Sequence, residues 1–358
     1  MRHLEMGHVV LLVFGLAIMI GAVIYVAHRT SQWLGLLPTA SYIIFFLFFL
    51  TIVGTMGSSW YVNGVKPIEH WAVIYGCYAA GFMLTLIFVM LFVDLITIPL
   101  HDMKIVWKGV VTYGLTVVLT LFCAISAMRP GVKEIHVPIS GIDREMRLVQ
   151  LSDAHLGHFR GAKWLRGVVE QINRCQPEAV VVTGDLFESY YNLTDEVIGE
   201  LKKISVPIYF VNGNHDKYVN LLRINDMLKK AGIHVLNNEL AEFDGLQIAG
   251  VGLEEVSDVI DAIGINPNRP CVLLRHYPNG VEDAIKHGAD LVLAGHTHGG
   301  QLFPVTLINR LAFDYNKGLY KVKDGYIYTS EGAGTTGPPL RFETKGEITL
   351  ITLVPSGF

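Results

Sequence analysis

Charged side chains are scarce in this sequence. Of its 358 residues only 17% are Asp, Glu, Lys or Arg, whereas 51% are hydrophobic, and the mean hydropathy is +0.41. Soluble domains carry about 25% charged residues, so these values exclude a chain that is water-exposed along its whole length. The net charge of −4 shows no basic excess, and we therefore expect no nucleic-acid partner.

Cysteine is also scarce, and its spacing excludes two further classes of protein. The four cysteines are Cys77, Cys123, Cys175 and Cys271, and no two of them form a CxxC pair. This pattern excludes a disulfide framework and a thiolate metal site. No GxSxG or Cys–His signature is present either, so the sequence predicts no covalent nucleophile of those kinds.

The apolar residues are concentrated before about Arg129. A membrane-spanning helix needs about 20 apolar residues, and we predict a transmembrane region over 1–130 with four such helices, at about 8–28, 39–62, 71–99 and 106–128. The first segment has no clear small-x-small cleavage site, which favours a retained helix over a signal peptide. Asp94 lies near the end of the third run, and we expect it at headgroup level; a functional intramembrane carboxylate is the alternative.

The predicted orientation depends on the cations that flank these helices. Four cations lie on the side of the predicted membrane that carries the globular part, namely Arg2, Lys66, Arg129 and Lys133. Three lie on the opposite side, namely Arg29, Lys104 and Lys108. Because cytoplasmic loops carry the excess of Lys and Arg, this count places the globular part in the cytoplasm. We predict a multi-pass protein of the cell membrane.

Beyond Met128, short apolar runs alternate with amphipathic segments, which predicts an α/β domain over 135–358. Strand-like runs precede the polar segments "SDAHLG", "TGDLFE", "GNHD", "RHYP" and "GHTHGG". Ligands of α/β sheets lie at the carboxyl ends of the strands. We therefore expect these five segments to deliver their polar side chains to one place.

These segments carry carboxylates, imidazoles and an amide. The residues are Asp153, His155, Asp185, Asn214, His215, Asp216, His276, His296 and His298. This ligand set suits Mn, Fe or Zn, and it is large enough for two divalent metal ions. Two ions about 3.5–4 Å apart hold both the attacking and the leaving oxygen of a phosphoryl transfer. So many polar residues would be a costly way to build a plain core.

The ordered set DxH, GD, GNHD, H and GHxH over 151–300 resembles the calcineurin-like metallophosphoesterases. The segments "GHTHGGQ" and "GAGTTGPPLRF" look like the membrane-associated bacterial branch of that family, one member type of which hydrolyses UDP-2,3-diacylglucosamine in lipid A synthesis. The resemblance implies a two-sheet β-sandwich flanked by helices, following the helical membrane domain. It also implies metal-dependent hydrolysis of a phosphoester or pyrophosphate.

The resemblance further implies a role for each residue. Asp153, His155 and His298 would bind the first metal, Asp185 would bridge, and Asn214, His276 and His296 would bind the second. His215 would point at the phosphate instead of binding metal, with Asp216 orienting its ring. Arg275 departs from the small residue that relatives commonly carry there. It would bind a second phosphate or a headgroup, or else face outward. The same alternatives stay open for Arg341, whose position alone suggests a contact with substrate.

The short spacer between the apolar region and the first globular strand bears on the substrate. About six residues separate Met128 from Ile135, and such a chain spans roughly 20 Å at most. A site tethered to a bilayer favours a lipid or lipid-linked phosphoester. The alternatives are a soluble substrate of an anchored enzyme, and a metal-binding sensor or partner module with a vestigial site. A transporter is a further alternative, but anchoring is the simpler role for the predicted spans, because they show little charge and no obvious internal repeat.

Overall fold

The computed structural model describes residues 6–61, 66–99 and 105–356, with side chains left undescribed at 6–16 and 56–61. The described chain forms two compact units, one within residues 1–123 and the other almost wholly within 124–358. The boundaries that we predicted for the two domains, 1–130 and 135–358, stay a prediction. The first globular strand begins at Gly131, four residues earlier than expected.

The first unit is helical. Its helices are α1 (Met6–Leu34), α2 (Pro38–Tyr61), α3 (Pro67–Ile96) and α4 (Ile105–Ser126). Within the described residues three segments are long and apolar enough to cross a membrane: Pro38–Thr55, Pro67–Ile96 and Ile105–Ser126. These three segments correspond to the second, third and fourth predicted spans, and the first predicted span stays a prediction. The first predicted span, 8–28, falls within α1, but part of it lies outside the residues with described side chains.

Asp94 pairs with two groups of α1. Its Oδ2 lies 2.8 Å from Nε of Arg29 and accepts a hydrogen bond of 2.7 Å from the Tyr25 hydroxyl. Arg29 and Asp94 both lie in the last turns of their helices, where side chains meet the interface rather than the centre of an apolar layer. The headgroup-level position of Asp94 stays a prediction, as does its alternative, a functional intramembrane carboxylate.

The second unit contains two six-stranded sheets. Sheet one, in the order β1-β12-β2-β3-β4-β5, contains β1 (Gly131–Ile139), β2 (Met146–Leu151), β3 (Ala179–Thr183), β4 (Ile208–Val211), β5 (His234–Val235) and β12 (Glu347–Pro355). Sheet two, in the order β10-β11-β9-β8-β7-β6, contains β6 (Glu239–Phe243), β7 (Leu246–Gly250), β8 (Cys271–Leu274), β9 (Leu291–Ala294), β10 (Gly318–Val322) and β11 (Gly325–Thr329).

Helices cover the outer faces of both sheets. They are α5 (Ala162–Arg174), α6 (Asp195–Leu201) and α8 (Leu221–Lys230) on sheet one, and α9 (Val256–Ile263) and α10 (Val281–Lys286) on sheet two. Two further helices, α7 (Asn214–Val219) and α11 (Val305–Ala312), follow the loops after β4 and β9. Alternate residues of a strand point to opposite faces. Val181 of β3 accordingly lies in the core between the sheets with Val272, whereas Val180 and Val182 lie in the core beneath the helices. The predicted two-sheet sandwich flanked by helices is confirmed.

The strands that precede the polar segments run in the same direction. β2 pairs with β3 and β3 with β4, all in parallel, and β8 pairs in parallel with β9 in the other sheet. Parallel neighbours end at the same edge of their sheet. Their following loops therefore meet at one side of the sandwich.

Candidate metal centre

The structure brings all nine predicted side chains to this edge. Asp153 and His155 follow β2, Asp185 follows β3, and α7 begins with Asn214, His215 and Asp216 directly after β4. His276 follows β8, and His296 and His298 follow β9.

Five of these residues have a left-handed backbone. The φ angles are 52° at Asp153, 47° at His155, 51° at Asp185, 73° at His296 and 50° at His298. Residues other than glycine seldom adopt this conformation, and such strain persists where the surrounding structure imposes it, commonly at functional sites. The backbone is thus bent at the residues whose side chains converge.

Asp153, His155 and His298 form the sealed group, which is the buried half of the site. Suitable ligand atoms of the three lie within 4.8 Å of one another, and none of the residues is more than 3% exposed. Nε2 of His155 lies 3.0 Å from Nε2 of His298, which lies 3.5 Å from Oδ1 of Asp153. Burial lowers the pKa of both histidines well below the usual value. Two neutral imidazoles beside a carboxylate are a donor set that suits a divalent cation.

Asn214, His276 and His296 form the open group. Nε2 of His276 lies 3.1 Å from Oδ1 of Asn214, while its Nδ1 lies 2.9 Å from the Thr183 carbonyl oxygen. A proton on Nδ1, donated to that carbonyl, leaves Nε2 able to bind a metal. The rings of His276 and His296 are 5.1 Å apart. Burial lowers the pKa of His296 to about 4, so this imidazole is neutral at pH 7.

Asp185 lies between the two groups. Its Oδ2 is 3.2 Å from Nε2 of His276 in the open group and 3.8 Å from Nε2 of His155 in the sealed group. Burial opposes ionisation of Asp185, but His276 and His155 outweigh it and hold the pKa of this carboxyl well below its usual range. The same pairing overcomes the effect of burial on His276 and raises its pKa to about 9, so a metal ion at Nε2 would displace a proton from this ring. An ionised carboxylate in this place fits a bridge between two cations.

The His215 ring lies beside the sealed group, 4.7 Å from the ring of His155 and nearly perpendicular to it. Its backbone N–H donates to Oδ1 of Asp185 at 2.7 Å. His215 also lies within metal-binding distance of His155 and Asp185, so the geometry permits a ligand role besides the predicted contact with phosphate. Burial lowers the pKa of His215, which therefore stays neutral at pH 7.

The hydrogen bonds of Asp216 differ from those we predicted. Instead of contacting the His215 ring, its buried carboxylate accepts from the backbone N–H of Gly213 at 2.9 Å, of Phe187 at 2.9 Å and of Leu186 at 3.4 Å. The physical reason is that Asp216 is in the first turn of α7, where backbone donors have no partner within the helix. Asp216 thus joins the start of α7 to the loop after β3.

Both arginines are buried rather than exposed. Arg275 is 1% exposed and donates through Nη1 to the Asn279 carbonyl oxygen at 2.5 Å, so the outward-facing alternative is wrong. Arg341 is fully buried and donates to the carbonyl oxygens of Glu331, Gly332 and Gly334 at 2.6–2.9 Å. These bonds make Arg341 a clamp on the loop behind His298 and not the substrate contact that its position suggested.

Two neighbours of the site did not emerge from the sequence. The Tyr277 ring lies 4.6 Å from that of His296, and Oε1 of Glu188 lies 4.0 Å from Nδ1 of His155. Burial raises the pKa of Glu188 to about 7. Both residues lie within recognised segments, "RHYP" and "TGDLFE", and this membership was the available signal.

The sandwich carries two groups of nitrogen and oxygen donors around one shared carboxylate, which is a candidate metal centre of the kind used in hydrolases. The family model described as calcineurin-like phosphoesterase matches residues 146–300. An uncharacterized metallophosphoesterase of Aquifex aeolicus is 34% identical over 227 residues, which cover 60% of this chain and 87% of the relative. This chain belongs to the calcineurin-like phosphoesterase family.

Two further relatives are similar to this chain over a smaller share of their own length. An uncharacterized metallophosphoesterase of Helicobacter pylori is 32% identical over 246 residues, covering 63% of this chain and 65% of the relative. A protein of Danio rerio named transmembrane protein with metallophosphoesterase domain is 33% identical over 267 residues, covering 67% and 61%. The match thus spans slightly less than two thirds of the length of these two relatives.

Proposed function

We propose that this protein is a membrane-anchored, dinuclear-metal phosphoesterase that hydrolyses a phosphoester or pyrophosphate of a lipid or lipid-linked substrate. The observation that carries the proposal is the position of the Asp185 carboxylate between two groups of metal-binding side chains. Asp153, His155 and His298 would hold one ion, and Asn214, His276 and His296 the other. The ions are Mn, Fe or Zn, since these accept a mixed carboxylate and imidazole set.

Two divalent ions bound here would supply Lewis-acid charge and a water molecule of lowered pKa. The protein's own residues supply orientation. Asp185 joins the two groups and also accepts from the backbone N–H of His215, which fixes the start of α7 against the site. The neutral imidazole of His215, only partly exposed, is then available to donate an N–H hydrogen bond to a phosphoryl or leaving-group oxygen.

The membrane assignment rests on the apolar helices and on the length of the spacer. Only residues 127–130 lie between the end of α4 and the start of β1, and four residues reach at most about 14 Å. Tethering at such a distance raises the effective concentration of membrane-resident substrates. From the distribution of Lys and Arg we further propose a multi-pass protein of the cell membrane with its catalytic domain in the cytoplasm.

The test is hydrolysis by the full chain, purified in detergent and supplied with Mn²⁺. Three substrates are compared: a soluble aryl phosphodiester, UDP-diacylglucosamine and a plain phospholipid, with Asp185→Ala as the control. We expect turnover to be largest on a lipid-linked substrate and lost in the variant. Turnover of the soluble ester alone would contradict the lipid assignment and keep the enzyme. Equal rates in both proteins on every substrate would contradict the enzyme itself.

A further inference from the structure

Helix α11 turns its apolar side chains away from the protein. Val305, Leu307, Ile308 and Leu311 are 40%, 46%, 59% and 91% exposed. Together they form the exposed face of a helix that is about 12 Å long. Single exposed apolar residues are ordinary, but a contiguous apolar face marks a surface that binds something.

Two polar residues of α11, Thr306 and Asn309, face inward instead. Thr306 is 1% exposed and donates through Oγ1 to Oε2 of Glu343 at 2.7 Å. Asn309, one turn later, donates through Nδ2 to the Thr297 carbonyl oxygen at 2.8 Å. Two inward hydrogen bonds three residues apart fix the rotation of the helix. The apolar face therefore points outward because these two bonds hold the helix in this rotation, and α11 is not detached from the domain.

This face lies at the rim of the metal centre. Thr297, which accepts the hydrogen bond from α11, is the residue between His296 and His298. Just beyond the helix, the Phe313 ring lies 5.8 Å from the ring of His296. The helix that carries the apolar face thus lies next to the open group.

A second exposed apolar pair flanks the centre from another element. Tyr218 of α7 and Leu222 of α8 are 66% and 85% exposed. The Tyr218 ring lies 5.6 Å from the ring of His215. Exposed apolar side chains thus lie on elements next to both His296 and His215 of the site.

We propose that α11 is an interfacial helix that inserts Val305, Leu307, Ile308 and Leu311 into a lipid surface, so that the metal centre opens towards the headgroups. A lipid surface is the occupant because the same chain carries three segments with the length and apolarity of membrane spans. Arg310, also exposed, places a cation at the level where anionic headgroups lie. The proposal goes beyond hydrolysis, since membrane contact requires neither turnover nor a lipid substrate.

The experiment places an environment-sensitive fluorophore on Leu311→Cys of the full chain in nanodiscs that contain anionic lipid. The matched control is Asp324→Cys, an exposed position in the turn before β11. β11 has five residues, so this turn lies about 16 Å from the strand end that faces the site. The native cysteines are buried and react little, and the unsubstituted chain measures their background. Quenching by nitroxide-bearing lipid is then recorded for both labels.

We expect a blue-shifted emission at position 311 and at least about two-fold quenching by the lipid nitroxide, with little quenching at position 324. Absence of quenching at 311 would overturn the proposal. A blue shift at 311 without lipid quenching would also overturn it, because a protein surface would then be the occupant. Equal quenching at both positions would mean unspecific contact with lipid and would likewise contradict a docking role for α11.

Discussion

The two halves of the metal centre differ in how far the fold closes them. The sealed group of Asp153, His155 and His298 is buried, whereas His296 and Asn214 of the open group are partly exposed. The sealed half is also backed by protein, with Arg341 fixing the loop behind His298. The ligand atoms of the sealed half are therefore accessible only to an ion, whereas the open half also has room for a substrate.

The largest expected effect lies where the two halves meet. Asp185→Asn removes the negative charge of the one carboxylate that both groups share, and we expect the turnover of an aryl phosphodiester to fall by about 10³-fold. Steady-state kinetics at saturating Mn²⁺ measure the effect, with circular dichroism to verify the fold. A loss of less than tenfold would mean that the two groups do not act as one centre.

The difference in exposure is tested by removing one imidazole from each half. We expect His296→Ala and His298→Ala each to weaken metal binding by about 10- to 100-fold. We expect added imidazole to restore activity in His296→Ala, because the space left by this partly exposed ring is open to solvent. We expect no rescue in His298→Ala, because the space left by this buried ring is closed. Activity against imidazole concentration is measured for both variants. Equal rescue, or rescue of His298→Ala alone, would refute the distinction.

A smaller effect is expected at Asp216, which supports the centre through the backbone. Asp216→Ala leaves the N–H groups of Gly213 and Phe187 without their carboxylate, and we expect a loss of about 1–2 kcal/mol in unfolding free energy. Asp216→Asn retains one acceptor oxygen, so we expect its unfolding free energy to lie between those of the unsubstituted protein and Asp216→Ala. Thermal unfolding measures the series. An unchanged midpoint in Asp216→Ala would contradict this role.

The smallest expected effect is at Tyr277, whose ring borders the open group. Tyr277→Ala widens the exposed side of the site, and we expect KM for a phosphoester to rise about three-fold while kcat changes little. Tyr277→Phe keeps the ring and serves as the control. If kcat fell instead and KM stayed constant, Tyr277 would act in the chemical step and not at the entrance.

The sequence predicts the site better than its surroundings. The residues that converge could be found because each follows an apolar strand, as Asp185 follows "AVVVT" and His276 follows "CVLL". Parallel strands ending at one edge then bring them together without knowledge of the loops.

What could not be predicted depends on contacts between loops far apart in sequence. The carboxylate of Asp216 contacts Phe187, and Arg341 contacts the carbonyl oxygens of residues 331–334. The outward apolar face of α11 was equally hidden, because the helical period is the same whichever face is buried. Only the partners of Thr306 and Asn309 decide its rotation.

The central claim is that two ions held around Asp185 hydrolyse a phosphoester. The most direct measurement is a metal titration of activity, in which the metal-free full chain receives Mn²⁺ in increments while the hydrolysis of an aryl phosphodiester is followed. The account predicts that turnover appears as the second equivalent binds and reaches its plateau at two ions per chain. Binding of two ions without turnover of any phosphoester would contradict the account and leave a metal-binding module.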